Sequence, residues 1–172
     1  MNFIKQKVSQ KSVKGMNFKI TAIGTVKDKQ LIPLIEEYIR RIKRFASVEF
    51  NEIKEKKEWK TADPKSLKKM EGEIILQQIK TGDLVVLMDE KGKSLSSKGF
   101  AEELQKWMNR SPKCIHFIIG GPFGFSEEVY ASASIQLSLS KMTFTHDMVR
   151  LFLAEQIYRA FTIIHHEPYH HE

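Results

Sequence analysis

The sequence contains a single cysteine and no long hydrophobic run. Because Cys114 is the only cysteine among 172 residues, an internal disulfide is excluded and a reducing compartment is expected. No apolar stretch approaches the roughly 18 residues that a membrane-spanning helix needs, so we expect a cytoplasmic location and no membrane partner. Two nucleotide-binding patterns are also missing, the G-x-x-x-x-G-K-S/T phosphate loop and a G-x-G-x-x-G after the first predicted strand. Their absence argues against a classical nucleotide hydrolase and a Rossmann dehydrogenase.

Acidic residues are outnumbered, with 21 Asp and Glu against 28 Lys and Arg, which gives a formal net charge of +7. A balance of this kind suits an anionic partner, RNA or DNA ahead of a membrane, although a soluble protein can simply be basic. Residues 1–15 contain lysines and no acid, and Met16-Asn17-Phe18 repeats the opening Met1-Asn2-Phe3. We therefore interpret 1–15 as a flexible basic extension, native or appended, and 16–172 as a single domain.

Strand patterns alternate with helix patterns along the domain. Apolar and β-branched runs predict strands, whereas a 3.6-residue period with capping residues predicts helices. The predicted strands are Phe18–Thr25, Val48–Ile53, Leu84–Met88, Ile115–Ile119 and Ile135–Ser140. The predicted helices are Gln30–Phe45, Pro64 to about Ile79, one that opens at Ser96 or Ser97, Ser126 to about Ala133, and Asp147 to about Ile164, with a charged loop over Lys54–Trp59. The alternation predicts an α/β fold with a mainly parallel sheet and helices on both faces.

The last predicted helix is apolar around most of its circumference. Such a helix must be buried on more than one side. One side can pack on the sheet and another on a second copy of the chain, which predicts a homodimer. The alternative is a helix that is buried entirely within its own domain.

A glycine-rich turn follows the strand Ile115–Ile119. It contains Gly120, Gly121 and Gly124, and Ser126 follows as a helix cap. Ligands of open α/β sheets bind outside the carboxyl ends of strands, so this turn is a candidate binding site. Taken alone, it is better explained as ordinary turn chemistry.

The tail contains His166-Glu167-Pro168-Tyr169-His170, which fits the zinc-protease pattern H-E-x-x-H. That chemistry requires both histidines on one face of a helix, and Pro168 inside the motif breaks a helix. We therefore predict no catalytic metal, and only adventitious metal binding by the tail histidines.

Several segments together resemble the bacterial ribosomal RNA large subunit methyltransferase H family, of the SPOUT class, over about residues 16–172. They are IGGPFG at 119–124, LSKMTFTH at 139–146, Val149-Arg150, EQIYRA at 155–160, and Pro168-Tyr169-His170. The resemblance implies a C-terminal trefoil knot, a homodimer, S-adenosylmethionine as cofactor, and methylation of N3 of a pseudouridine in the helix 69 loop of 23S ribosomal RNA. The alternatives are a SPOUT methyltransferase for another RNA position and a non-catalytic ribosome- or RNA-binding factor.

The resemblance also assigns site residues. The implied cofactor contacts are Met88, Gly120, Gly121, Leu139, Ser140, Lys141, Met142, Thr143 and Phe144. The implied catalytic residues are Tyr169, which can stack on an exposed base, and His170, which can act as a general base. Both are also implied RNA contacts, with Arg150 and His171, and His171 stands where the family usually has Arg or Lys.

Two basic stretches could hold the RNA backbone. One comprises Arg40, Arg41, Lys43 and Arg44, and the other is Lys54–Lys69. The alternative interpretation is that both stretches are simply solvated, the first as a helix face and the second as a loop.

Overall fold

The computed structural model describes residues 15–169. Five parallel strands form one sheet in the order β2-β1-β4-β3-β5. The strands are β1 (Asn17–Ile23), β2 (Ser47–Ile53), β3 (Asp83–Ser94), β4 (Cys114–Ile119) and β5 (Ile135–Ser138). The helices are α1 (Ile32–Ile42), α2 (Pro64–Gln78), α3 (Ser97–Asn109), α4 (Glu127–Ser132) and α5 (His146–Ile164). The predicted α/β class with a mainly parallel sheet is confirmed. Residues 1–14 of the predicted extension lie outside the described residues.

Helices cover both faces of the sheet, as predicted. Side chains of a strand point alternately to its two faces. In β3, Val86 belongs to the core cluster with α1, α3 and α5, whereas Val85 and Leu87 belong to the cluster with α2 and α4. The sheet therefore has a core on each side, and its carboxyl ends meet at one edge.

Capping residues fix the predicted helix starts. The Asp63 carboxylate accepts from the amides of Lys65 and Ser66 at 3.0 and 3.1 Å, and the Ser96 hydroxyl accepts from the Gly99 amide at 3.1 Å. Thr145 caps α5 in the same way, with its Oγ1 3.4 Å from the Met148 amide nitrogen. These contacts satisfy amides that have no partner within the first helical turn.

Several predicted boundaries are wrong: α1 is Ile32–Ile42 rather than Gln30–Phe45, and β1 ends at Ile23 rather than Thr25. Three others are wrong for identifiable reasons. Strand β3 continues past Met88 to Ser94, because its polar second half pairs with β5 after a register shift. The predicted loop Lys54–Trp59 runs into a 3-10 turn, Lys57–Thr61, that buries Trp59 beneath α2. Strand β5 ends at Ser138, and the Ser140 hydroxyl then accepts from the Met142 amide at 2.9 Å to turn the chain.

The pairing of β3 with β5 requires a glycine at position 92. A Cβ atom there would lie 2.6 Å from the backbone nitrogen of Leu137, which is closer than Cβ atoms approach other atoms in real proteins. The backbones of the two strands are thus in close contact at Gly92. No helix within residues 15–169 is long and apolar enough to cross a membrane.

Candidate functional site

A cleft of about 360 Å³ opens beside the middle of β3 and the carboxyl ends of β4 and β5. Its walls are the middle of β3 at Met88 and Asp89, the glycine turn (residues 120–124), the segment that follows β5, and the first turns of α5. Parallel strands bring these segments to one edge of the sheet although they are far apart in the sequence. The cleft therefore lies where ligands of open α/β sheets bind.

The structure brings together eight of the nine residues that the resemblance assigned to the cofactor. Those lining the cleft are Met88, Gly120, Gly121, Leu139, Ser140, Met142, Thr143 and Phe144. Lys141 is exposed and does not line it. That these residues bind a cofactor stays a prediction.

The glycine turn is packed from behind so that its backbone faces the cleft. A Cβ on Gly120 would lie 2.9 Å from the Phe125 ring, and a Cβ on Gly121 would collide with the Glu71 carboxylate. Gly124 adopts a φ of +78°, which favours glycine, and its amide donates to the Gly121 carbonyl at 3.1 Å. Each glycine is thus required by space or by backbone conformation.

Glu71, on α2, is a buried acid behind this turn that sequence reasoning missed. It is 3% exposed, and its Oε2 has no hydrogen-bond partner among the described residues. Burial, and then the charge of Glu55, raise the pKa of Glu71 to about 7. The sequence does contain a signal for this burial, because Glu71 falls between Leu67 and Ile75 on the buried stripe of α2.

An acidic rim borders the cleft in the middle of β3. The Tyr130 hydroxyl donates to Asp89 Oδ2 at 2.5 Å, and the Lys91 amide donates to Asp89 Oδ1 at 2.7 Å. Burial and then the Asp89 hydrogen bond raise the pKa of Tyr130 to about 12, so Tyr130 stays a donor at neutral pH. The Asp89 carboxylate is held in place as a fixed negative charge beside the cleft, with Glu90 next to it.

Arg150, predicted to contact RNA, lies inside the domain. It is 1% exposed. Its guanidinium donates to Asp147 Oδ1 at 2.8 Å and to the carbonyls of Ile23 and Gly24 at 2.7 and 3.0 Å. These contacts join α5 to the end of β1. Direct contact between Arg150 and RNA stays a prediction.

Tyr169, predicted to be catalytic, does not line the cleft. Its hydroxyl is 3.3 Å from that of Tyr38 and 3.2 Å from Glu155 Oε1, and the Arg159 guanidinium lies 4.9 Å from its ring centre. Burial and then the Tyr38 hydrogen bond raise the pKa of Tyr169. Tyr169 thus packs beside the second half of α5, whereas the cleft borders the first. His170 and His171 lie outside the described residues.

The H-E-x-x-H pattern does not continue α5. The helix ends at Ile164, His166 has a φ of +56°, and the Glu167 amide bonds back to the Thr162 carbonyl at 2.8 Å. Within residues 15–169, no group of three or more His, Cys, Asp and Glu side chains is arranged to hold a metal ion.

The two basic stretches differ in how their charges are paired. On α1, Arg40 and Arg41 both bridge to Glu37, at 2.6 and 2.7 Å, and Arg44 reaches Glu167 at 3.4 Å. The exposed lysines of the second stretch form no salt bridge with any described residue. We call them the lysine surface; they are Lys54, Lys56, Lys57, Lys60, Lys65 and Lys69. Among the described residues of the two stretches, the lysine surface therefore offers six charges without a salt bridge, whereas the first stretch offers only Lys43.

Comparison with known proteins identifies the family of the chain. The family model described as "Predicted SPOUT methyltransferase" matches residues 16–170. A protein of Christiangramia forsetii is 50% identical over 156 residues, 91% of this chain and 99% of its own length. Relatives from Flavobacterium johnsoniae and Bacteroides thetaiotaomicron are 47% and 44% identical over 157 residues, 91% of this chain and 100% of their own length. All three are named ribosomal RNA large subunit methyltransferase H.

The predicted resemblance is therefore confirmed at the level of the family. The matched region includes the glycine turn, the segment after β5 and α5, which together form most of the cleft. The chain belongs to the SPOUT methyltransferases.

Proposed function

We propose that this protein transfers a methyl group from S-adenosylmethionine to N3 of a pseudouridine in the helix 69 loop of 23S ribosomal RNA. The observation that carries the proposal is the cleft itself, because residues assigned to the cofactor from three separate segments line one cavity. The relatives' shared name supports ribosomal RNA of the large subunit as the substrate. A cytoplasmic location is part of the proposal.

The residues of the cleft fit this cofactor. An adenosine needs an apolar slot with backbone donors and acceptors, which Leu137, Leu139 and the glycine turn supply. The sulfonium and ammonium groups are cationic, and Asp89 and Glu90 provide negative charge at the rim. When bound, S-adenosylmethionine supplies an electrophilic methyl group whose bond to sulfur breaks as a bond to the acceptor nitrogen forms.

The chain's own contribution is orientation and proton removal. The N3–H of a pseudouridine is a weakly acidic imide, and its proton must leave as N3 is methylated. His170 is the proposed general base that takes this proton, and Tyr169 the proposed stacking partner of the base. Much of the rate enhancement then comes from holding donor and acceptor together.

In this proposal, the tail of one copy acts on the cleft of a second copy. Tyr169 contacts Glu155, which lies six residues beyond Val149 at the cleft, or about 9 Å along α5. Leu151 and Phe152 remain partly exposed on α5, as an interface requires. A homodimer is therefore proposed, together with the C-terminal trefoil knot that the family resemblance implies.

Docking of the RNA is assigned to the lysine surface. It follows β2, so it begins at the same edge of the sheet as the cleft. Unpaired lysines bind phosphates by releasing counterions, whereas the α1 arginines already have carboxylate partners.

Calorimetry with S-adenosylmethionine tests the proposal. Binding at one site per cleft is expected, and a folded protein that binds none refutes an enzyme and favours a non-catalytic RNA-binding factor. A second test is His170→Ala, which should abolish methyl transfer while leaving the cofactor affinity nearly unchanged. Loss of both would give His170 a structural role instead.

A further inference from the structure

Two exposed apolar side chains lie at the opening of the cofactor cleft. Phe123, in the glycine turn, and Met142, in the segment after β5, both line the cleft, yet they are 50% and 75% exposed. Among residues 15–169, only four large apolar side chains are exposed, and the other two, Ile32 and Leu34, belong to α1. Half of the exposed large apolar side chains of the described domain therefore gather at this one opening.

The glycine turn holds Phe123 at its tip. The Gly124 amide donates to the Gly121 carbonyl at 3.1 Å, which closes a four-residue turn with Pro122 and Phe123 as its two central residues. The ring of Pro122 fixes one backbone dihedral, and the Glu71 carboxyl packs behind Gly121. The ring of Phe123 is therefore presented on a backbone that is fixed before any ligand binds.

The segment after β5 holds Met142 in a similar way. The Ser140 hydroxyl accepts from the Met142 amide at 2.9 Å, and the Ser138 hydroxyl donates to the Ser140 carbonyl at 2.8 Å. The backbone is thus fixed, while the unbranched side chain of Met142 can adjust to the surface of a ligand. Lys141 beside it and Lys91 in the cleft wall are exposed cations. The opening therefore combines apolar contact area with positive charge.

An unstacked nucleotide matches this opening. The faces of its base stack on aromatic side chains, and its anionic phosphodiester suits the nearby lysines. A methyl acceptor must also lie within van der Waals contact of the donor. A base at the opening meets this requirement, because Phe123 and Met142 line the cofactor cleft itself. The groove between α1 and β2, which contains exposed Ile32, does not meet it, because that groove shares no lining residue with the cleft.

We propose that Phe123 and Met142 receive the target base of the RNA at the opening of the cofactor cleft, with the Phe123 ring stacked on one face of the base. This rests on the proposed function and identifies substrate-binding residues within the same chain that holds the cofactor. The other face of the base remains for the proposed contact with Tyr169. The edge of the base that carries N3 then points into the cleft, toward the methyl donor.

Removing the aromatic ring tests the proposal, with ribosomes from a strain that lacks this protein as the substrate. Phe123→Ala should lower kcat/KM at least about fivefold, because the base loses its stacking partner, and should change the calorimetric affinity for S-adenosylmethionine less than about twofold. Phe123→Tyr keeps the ring and should retain kcat/KM. Leu34→Ala is the matched control, because Leu34 is 48% exposed, nearly as much as Phe123, but does not line the cleft. It should behave as wild type.

The outcomes separate this proposal from the proposed function. If wild type methylates these ribosomes and a folded Phe123→Ala does so with unchanged kcat/KM, only the assignment of the base is overturned. It is also overturned if Phe123→Ala loses affinity for S-adenosylmethionine, or for a second copy in sedimentation, as strongly as it loses kcat/KM. If wild type binds no cofactor, the proposed function fails and this assignment fails with it. Should Phe123→Ala not fold, Met142→Ala, at a more exposed position, decides in the same way.

Discussion

Replacing Glu71 by glutamine should stabilise the protein at alkaline pH. In the unfolded chain this carboxyl titrates near 4.5, whereas in the fold burial raises its pKa to about 7. As the pH rises above 4.5, the unfolded state releases the proton first, so stability falls across the window up to about pH 7 and is level above it. The difference between the two pKa values corresponds to about 3 kcal/mol of stability lost by pH 8.

Urea unfolding at pH 5 and pH 8, at fixed protein concentration, measures this effect. Glu71→Gln keeps the shape of the side chain without the charge, so we expect a gain of about 2–3 kcal/mol over wild type at pH 8 and less than about 1 kcal/mol at pH 5. Glu73→Gln is the matched control, because Glu73 is exposed on the same helix, and it should show no such difference. A gain for Glu71→Gln that is equal at both pH values, or absent, would refute the reasoning.

Two further predictions concern the charged groups around the site. Arg150→Met should cost about 3–5 kcal/mol in the free energy of unfolding by urea, because it removes the partner of Asp147 Oδ1 and of the carbonyls of Ile23 and Gly24. A cost below 1 kcal/mol would mean that these contacts do not hold α5. Replacing Lys56, Lys57 and Lys60 together by glutamine should reduce the slope of log affinity for RNA against log salt by about 2, whereas Arg40→Gln with Arg41→Gln should barely change it. Equal effects of the two sets in a filter-binding titration would contradict the assignment of RNA docking to the lysine surface.

Local patterns predicted the succession of strands and helices well. Asp63, Ser96 and Thr145 are caps whose chemistry depends only on their neighbours, so the helices begin where expected. The second half of β3 could not be predicted in this way. Its residues, Asp89 to Ser94, are mostly polar and charged, and their strand conformation depends on the pairing of Lys93 and Ser94 with β5.

The site was predicted in part from its resemblance to a family, and the physics of single residues did not reveal the rest. Arginine is almost never fully buried unless it is paired, so the location of Arg150 follows from carbonyls and an acid that only the fold brings together. Glu71 reads as one more charged residue on a helix until its place behind Gly121 is known. Tyr169 packs against α1 and α5, a long-range arrangement that no local pattern encodes.

Mass spectrometry of 23S ribosomal RNA shows whether this protein methylates the helix 69 pseudouridine. In a strain that lacks this protein, the helix 69 pseudouridine should lose its N3 methyl group, and expression of the wild-type chain should restore it. If the methyl group persists in the deletion strain, the proposed target is wrong.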